Sequence, residues 1–165
     1  MITMKSNNNL NTNMKRYVVA FILTPDLQRV WLIRKNKPEW QKGCLNGIGG
    51  KIEEDGESPV EATVREIKEE AGITLDSSQL TTIGYMQGTN NDGSEFRVDI
   101  FTGTTSKKLS TQEEEEISLF DVRAIKEHSH IENIPMLIET CIYRLSGHSH
   151  FHHLKMIYDE KLRVV

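Results

Sequence analysis

The stretch GKIEEDGESPVEATVREIKEEAGI, Gly50 to Ile73, decides the fold. Its second half carries the local signals of one helix. Ser58 stands where an N-cap accepts from the first free amides, Pro59 takes the first helical position, and Glu61 is spaced to close a capping box. Gly72 supplies a left-handed stop. Together they predict a helix over 59–71. At about 100° per residue, Glu66, Glu69 and Glu70 converge on one strip, floored by Ala62 and Thr63. Val60, Val64, Ile67 and Ala71 fall on a separate apolar stripe, fit for packing against a sheet.

A run of charge on a helix usually faces water. Two features argue for chemistry here. Glu66 and Glu70 repel each other at i, i+4. The C-terminal half of a helix dipole also favours cations over anions. More acids precede the helix: Glu53, Glu54, Asp55 and Glu57. A divalent cation would relieve the repulsion. An all-oxygen donor set suits Mg²⁺ or Mn²⁺, and Mg²⁺ is commonly shared between carboxylates and substrate phosphates.

Outward from this stretch, the chain alternates strands and helices. Tyr17 to Leu23 reads as a buried strand, Thr24-Pro25-Asp26 breaks it, and Val30 to Ile33 returns as the second arm of a hairpin. Residues 35–47 read as a loop. Leu80 to Met86 and Phe96 to Gly103 are strand candidates around a turn at Asn90-Asn91-Asp92-Gly93. Ile117 to Val122 is a short strand, and Phe151 to Tyr158 a late one. Ile134, Leu137, Ile138, Cys141, Ile142 and Leu145 recur at helical spacing, which predicts a second helix over 133–146. Residues 1–13 are polar and asparagine-rich and read as a disordered tail. The patterned sequence, with Met14 as a candidate natural start, then forms a single domain over 14–165.

Composition sets the bounds. The 165 residues are 37% hydrophobic and 27% charged, which describes one globular domain. No apolar run reaches the roughly 20 residues of a membrane span. Two cysteines, Cys44 and Cys141, form no disulfide framework and suit a reducing, cytoplasmic setting. The 20 basic against 24 acidic residues leave a formal charge of −4, which argues against nucleic-acid binding driven by net charge. A soluble protein, monomer or homodimer, is expected.

The same stretch resembles the Nudix box, G-x5-E-x7-R-E-U-x-E-E-x-G-U with U aliphatic. From Glu57 through Arg65, Glu66, Ile67, Glu69, Glu70, Gly72 and Ile73 the type and spacing agree. One departure stands out: residues 51–56 put one more position between Gly50 and Glu57 than the pattern has. The resemblance implies an α/β/α sandwich with a mixed sheet, the carboxylate helix on one face and the later helix on the other. It implies a Mg²⁺- or Mn²⁺-dependent hydrolase of nucleoside diphosphates linked to a further group. Carried over by position, Glu66, Glu69 and Glu70 are metal ligands, Gly50 shapes the loop at the metal, and Arg65 and Glu57 orient loop and helix. The general base is Glu69 or Glu70, or else a glutamate of the later run Glu113–Glu116.

The segment Trp40-QKGCL-Asn46-Gly47-Ile48-Gly49-Gly50-Lys51 resembles the oxidised-purine nucleoside triphosphatases of that family. The resemblance implies that Asn46 hydrogen-bonds the base; Trp40 could stack on it, as aromatic rings do on nucleobases, and Lys51 is a further candidate substrate-binding residue. Here Leu45 stands where those enzymes often have tryptophan, and residues 127–132 carry no aspartate pair. The expected reaction converts a nucleoside triphosphate, 8-oxo-dGTP among the candidates, to the monophosphate and pyrophosphate. ADP-ribose or another nucleotide-sugar is the alternative substrate, and a non-catalytic nucleotide-binding module the alternative role. His148, His150, His152 and His153 raise a separate possibility, a transition-metal site, but that spacing without a cysteine partner is a weak signal.

Overall fold

A computed structural model describes residues 14–53, 56–148 and 153–158. The tail over 1–13, Glu54, Asp55, His150 and His152 lie outside the described residues. The chain runs β1 (Lys15–Leu23), β2 (Arg29–Arg34), β3 (Leu45–Asn46), α1 (Pro59–Ala71), β4 (Thr81–Thr89), β5 (Glu95–Thr104), β6 (Glu116–Asp121), α2 (Ile134–Leu145) and β7 (Leu154–Tyr158). The seven strands form one mixed sheet in the order β3-β2-β1-β5-β4-β7, with β6 also paired to β2. β1 runs parallel to β5, and β4 parallel to β7; the other pairs are antiparallel.

The period-two alternation of β1 divides the core. Val18, Ala20 and Ile22 face one side, with Ile67 and Ala71 of α1. Val19, Phe21 and Leu23 face the other, with Leu137, Ile138 and Cys141 of α2. The result is the expected α/β/α sandwich. Among the described residues, no helix is long and apolar enough to cross a membrane.

The expected helix over 59–71 forms with both ends as read. Ser58 accepts from the Glu61 amide, Glu61 answers at the Ser58 amide, and Gly72 adopts a left-handed φ of 71°. Three readings need correction. The 35–47 loop contains a 3-10 turn at Glu39–Gln41 and the two-residue strand β3, too short to show a pattern. β4 runs on to Thr89 because β5 and β7 pair with it on both sides. The late strand β7 begins at Leu154; the described residues include no strand at His153.

Candidate active site

α1 carries the acids, and its packing sorts them. The fully buried residues of α1 are Ala62, Thr63, Ile67 and Ala71, while Val60 and Val64 are only partly buried. The apolar stripe is therefore not separate from the carboxylate strip: at about 100° per residue, the buried arc reaches across Glu66 and Glu70 and leaves Glu69 at its rim. Exposure follows that order, with the Glu66 side chain 12% exposed and the Glu69 side chain 48%.

Arg65 gathers the carboxylates. Its Nε and Nη2 donate to the two oxygens of Glu57, at 2.7 and 3.0 Å. Its Nη1 donates to Glu66 Oε1 at 2.8 Å and to Glu69 Oε2 at 3.0 Å. Nη2 also reaches the Lys51 carbonyl at 3.0 Å. This fork ties the loop before α1 to the helix, which is the geometry a planar guanidinium provides and an ammonium does not. The Glu57 hydrogen bonds hold the Arg65 guanidinium far above its ordinary value. In return Arg65 holds the Glu57 carboxyl below the usual range. Glu57 also accepts from the Glu53 amide at 2.9 Å, so it closes the loop despite the extra residue.

Glycines bring this loop against the helix. The Gly49 amide donates to Glu70 Oε2 at 3.0 Å. A Cβ at Gly49 would strike the Val18 carbonyl, and one at Gly50 would strike the Glu66 carboxylate. Burial pushes the Glu70 carboxyl up to about 8, and the Glu66 charge adds to it, against the pull of the Gly49 amide. Burial also raises Glu66. Two crowded carboxylates in a partly dry site are what a cation relieves.

The later acidic run joins the same cluster. Gln112 and Ser110 donate backbone amides to the Glu70 and Ala71 carbonyls, at 3.2 and 3.1 Å, and so close the C-terminal end of α1. Glu113 acts electrostatically on Glu66, and Glu115 on Glu70. Both Glu115 oxygens are engaged: Lys35 Nζ donates at 2.6 Å and the Asn36 amide at 2.8 Å. Burial pushes the Glu115 carboxyl up, but these donors hold it below the usual range.

Among the described residues, no three acids, histidines or cysteines converge into a ready cation cage. The donors nonetheless fit Mg²⁺ or Mn²⁺. Glu66, Glu69 and Glu70 offer oxygen alone, on one helix, beside a glycine turn without side chains. The histidine cluster does not assemble where it is described. The His148 ring stacks on Tyr143 with centroids 4.0 Å apart, and His153 packs near Tyr85.

Asn46 and Trp40 stand on the β3 side of the site. Asn46 Oδ1 accepts from the Gly47 amide at 2.8 Å, and its Nδ2 reaches Gln41 at 3.5 Å. Trp40, next to Gln41, is 63% exposed. Lys51 is exposed and bridges to Tyr17. The sequence reading missed Asn133. It precedes α2 but makes no side-chain cap. Its Nδ2 instead donates to Tyr158 Oη at 2.8 Å and contacts Met86 Sδ at 3.1 Å. Its Oδ1 is buried without a partner. Leu45, beside Asn46, pairs with His130 and exchanges backbone hydrogen bonds with Ser129 and Ile131, which ties β3 to the segment before α2. The only signal at Asn133 was that of a helix start, which says nothing about a side chain turned elsewhere.

The NUDIX domain family model matches residues 14–138. The chain belongs to the Nudix family. Its expected class, a Nudix pyrophosphohydrolase, stands with that match. No curated protein matches the sequence. Solved structures share the fold. The NUDIX domain of Shewanella oneidensis NrtR, solved with ADP ribose, is 18% identical with a TM-score of 0.68, over 80% of this chain and 88% of that one. A MutT protein from Bacillus halodurans is 21% identical with a TM-score of 0.64, over 92% and 95%. A MutT/nudix family protein from Enterococcus faecalis is 16% identical with a TM-score of 0.58, over 66% of this chain; the chain spans only 44% of that protein.

Proposed function

We propose that this Nudix protein hydrolyses a nucleoside triphosphate to the monophosphate and pyrophosphate, with Mg²⁺ or Mn²⁺ held by Glu66, Glu69 and Glu70. The observation that carries the reading is the inward pair Glu66 and Glu70 against the Gly49-Gly50 turn, with the Gly49 amide on Glu70 Oε2. A part-buried carboxylate fixed by a backbone amide suits removal of a proton from water. When bound, the cation would neutralise the acids and the phosphates and lower the cost of charge in the transition state. Glu70 takes the proton as water oxygen bonds to a bridge phosphorus, and the bond from that phosphorus to its bridging oxygen breaks. Arg65 and Glu57 are positioning residues that fix the glutamates and the preceding loop. Lys51 is proposed to meet phosphate oxygens.

Asn46 and Asn133 are proposed to read the base. The buried Asn133 Oδ1 has an unmet acceptor, and a base N–H would supply the donor. Trp40 has the exposure to close over a base. An oxidised purine such as 8-oxo-dGTP is the specific substrate proposed. A second reading, ADP-ribose, is favoured by the likeness in fold to the NrtR domain solved with that ligand. A panel of 8-oxo-dGTP, dGTP, ATP and ADP-ribose, with and without Mg²⁺ and with products identified, tests both. Turnover of 8-oxo-dGTP no better than of dGTP or ATP sinks the oxidised-purine assignment. No Mg²⁺-dependent turnover of any of them sinks the hydrolytic one.

A further inference from the structure

A cavity of about 750 Å³ lies at the far end of β1, between the β1–β2 turn, the loop after β5, and β6. It is separate from the glutamates. Gly49 and Gly50 meet β1 at Val18, whereas the cavity begins at Thr24, roughly 20 Å along an extended strand.

Its lining is basic in an acidic protein. Arg29, Lys107 and Lys108 stand against a single lining acid, Asp26. Asp26 Oδ1 accepts from the Thr24 hydroxyl and the Gln28 amide, and the carboxylate acts on Arg29 electrostatically, so three cations face one ionised acid. Asp121, which acts on Arg29 from outside the lining, is paired with Arg123. Lys107 Nζ reaches only a neutral acceptor, the Thr74 carbonyl at 3.3 Å. Among the described residues, neither Arg29 nor Lys108 makes a side-chain hydrogen bond or ion pair. Cations gathered without bonded carboxylates form a site for an anion.

The rest of the lining is mostly apolar, with Pro25, Trp31 and Leu119 among its walls and a few hydroxyls between them. Ser106 adds an exposed hydroxyl. Thr105 is buried, and its hydroxyl takes the Lys107 amide at 3.1 Å, which holds the loop in shape. The Ser118 hydroxyl is taken by Glu116. Trp31 lines the cavity at 7% exposure, and its buried indole N–H has no partner. An unmet buried donor is costly, and a small shift of the ring would let it meet an acceptor oxygen. Three cations over this volume exceed what one carboxylate needs. They match a polyvalent phosphoryl group, whose several oxygens take separate donors.

We propose that this cavity is a second, metal-independent anion site that takes a phosphoryl compound, either free pyrophosphate or a small phosphate monoester. The glutamate site, without its cation, repels such anions, so the two sites separate in EDTA.

The test is titration of the full chain in EDTA with pyrophosphate and, in a second arm, ribose 5-phosphate. Binding is read by calorimetry and by tryptophan emission. The chain has two tryptophans, so Trp40→Phe leaves Trp31 as the sole reporter at the cavity. Saturable binding is expected, weakening as salt rises. A variant combining Arg29→Ala, Lys107→Ala and Lys108→Ala should bind at least about tenfold more weakly, equivalent to about 1.4 kcal/mol. Circular dichroism checks its fold, and the single, exposed Lys108→Glu should act in the same direction. Pyrophosphate binding alone assigns the cavity to the free anion, and ribose 5-phosphate binding alone to a monoester. Binding of neither, or binding that all these variants retain, overturns the proposal. Loss of hydrolysis leaves this measurement untouched, because no turnover is read.

Discussion

At the residue scale, the three box glutamates are chemically alike in sequence and unlike in place. Glu70 is held by the Gly49 amide in a part-buried position, Glu66 is held by Arg65, and Glu69 sits at the rim. Glu115, equally acidic, has both oxygens committed to Lys35 and Asn36. The chemistry should follow that difference. Glu70→Gln is expected to lower kcat by at least about 100-fold, the lower end for a lost general base, while Glu115→Gln stays within a few fold of wild type. Steady-state rates on the best panel substrate decide it, and the reverse pattern would move the base to the later loop. Local spacing made Glu66, Glu69 and Glu70 legible as a set, and the family resemblance added Arg65 and Glu57. Asn133 was not legible, because its partners Met86 and Tyr158 come from distant strands.

At the scale of the element, α1 is set by its caps and by the glycine turn it packs against. Ser58→Ala removes the acceptor for the Glu61 amide and should destabilise the protein by about 1 kcal/mol. Chemical denaturation would show this as a lower midpoint at unchanged slope, and an unchanged midpoint would mean that packing alone holds the helix start. Gly49→Ala is a different kind of change. Its Cβ meets a backbone oxygen in β1, which cannot rotate away. The turn must shift, at a cost of about 1–3 kcal/mol, and the Gly49–Glu70 hydrogen bond shifts with it. Turnover should fall together with stability; a variant with normal kcat would show that the turn does not set Glu70. The helix was readable because a capping box, a proline and a C-terminal glycine are local. β3 was not, because two residues carry no period and exist as a strand only through β2.

At the scale of the whole molecule, buried charge couples the site to stability. The Glu70 carboxyl lies near 4.5 when unfolded and is raised to about 8 in the fold. Below the lower value both states are protonated, and nothing is gained or lost. Between the two the folded chain binds more protons, so its stability falls as pH rises and levels off above about 8. In EDTA the melting temperature should therefore decline from about pH 5 to pH 8, and Glu70→Gln should flatten the decline. Mg²⁺ at the upper pH should restore part of it by binding the folded state. Equal slopes in wild type and variant would remove Glu70 as the cause. The sequence by itself determined α1, its caps, the order of box residues, the buried run of β1 and the apolar period of α2, since these depend on neighbours a few positions apart. Only the tertiary structure decided which glutamate is buried, that the 110–115 loop closes over α1, that β1 lies parallel to β5, and that Arg29 meets Lys107 and Lys108 around one cavity. Those facts come from groups far apart in the chain, where burial and charge are properties of the packed whole and leave no local pattern to read.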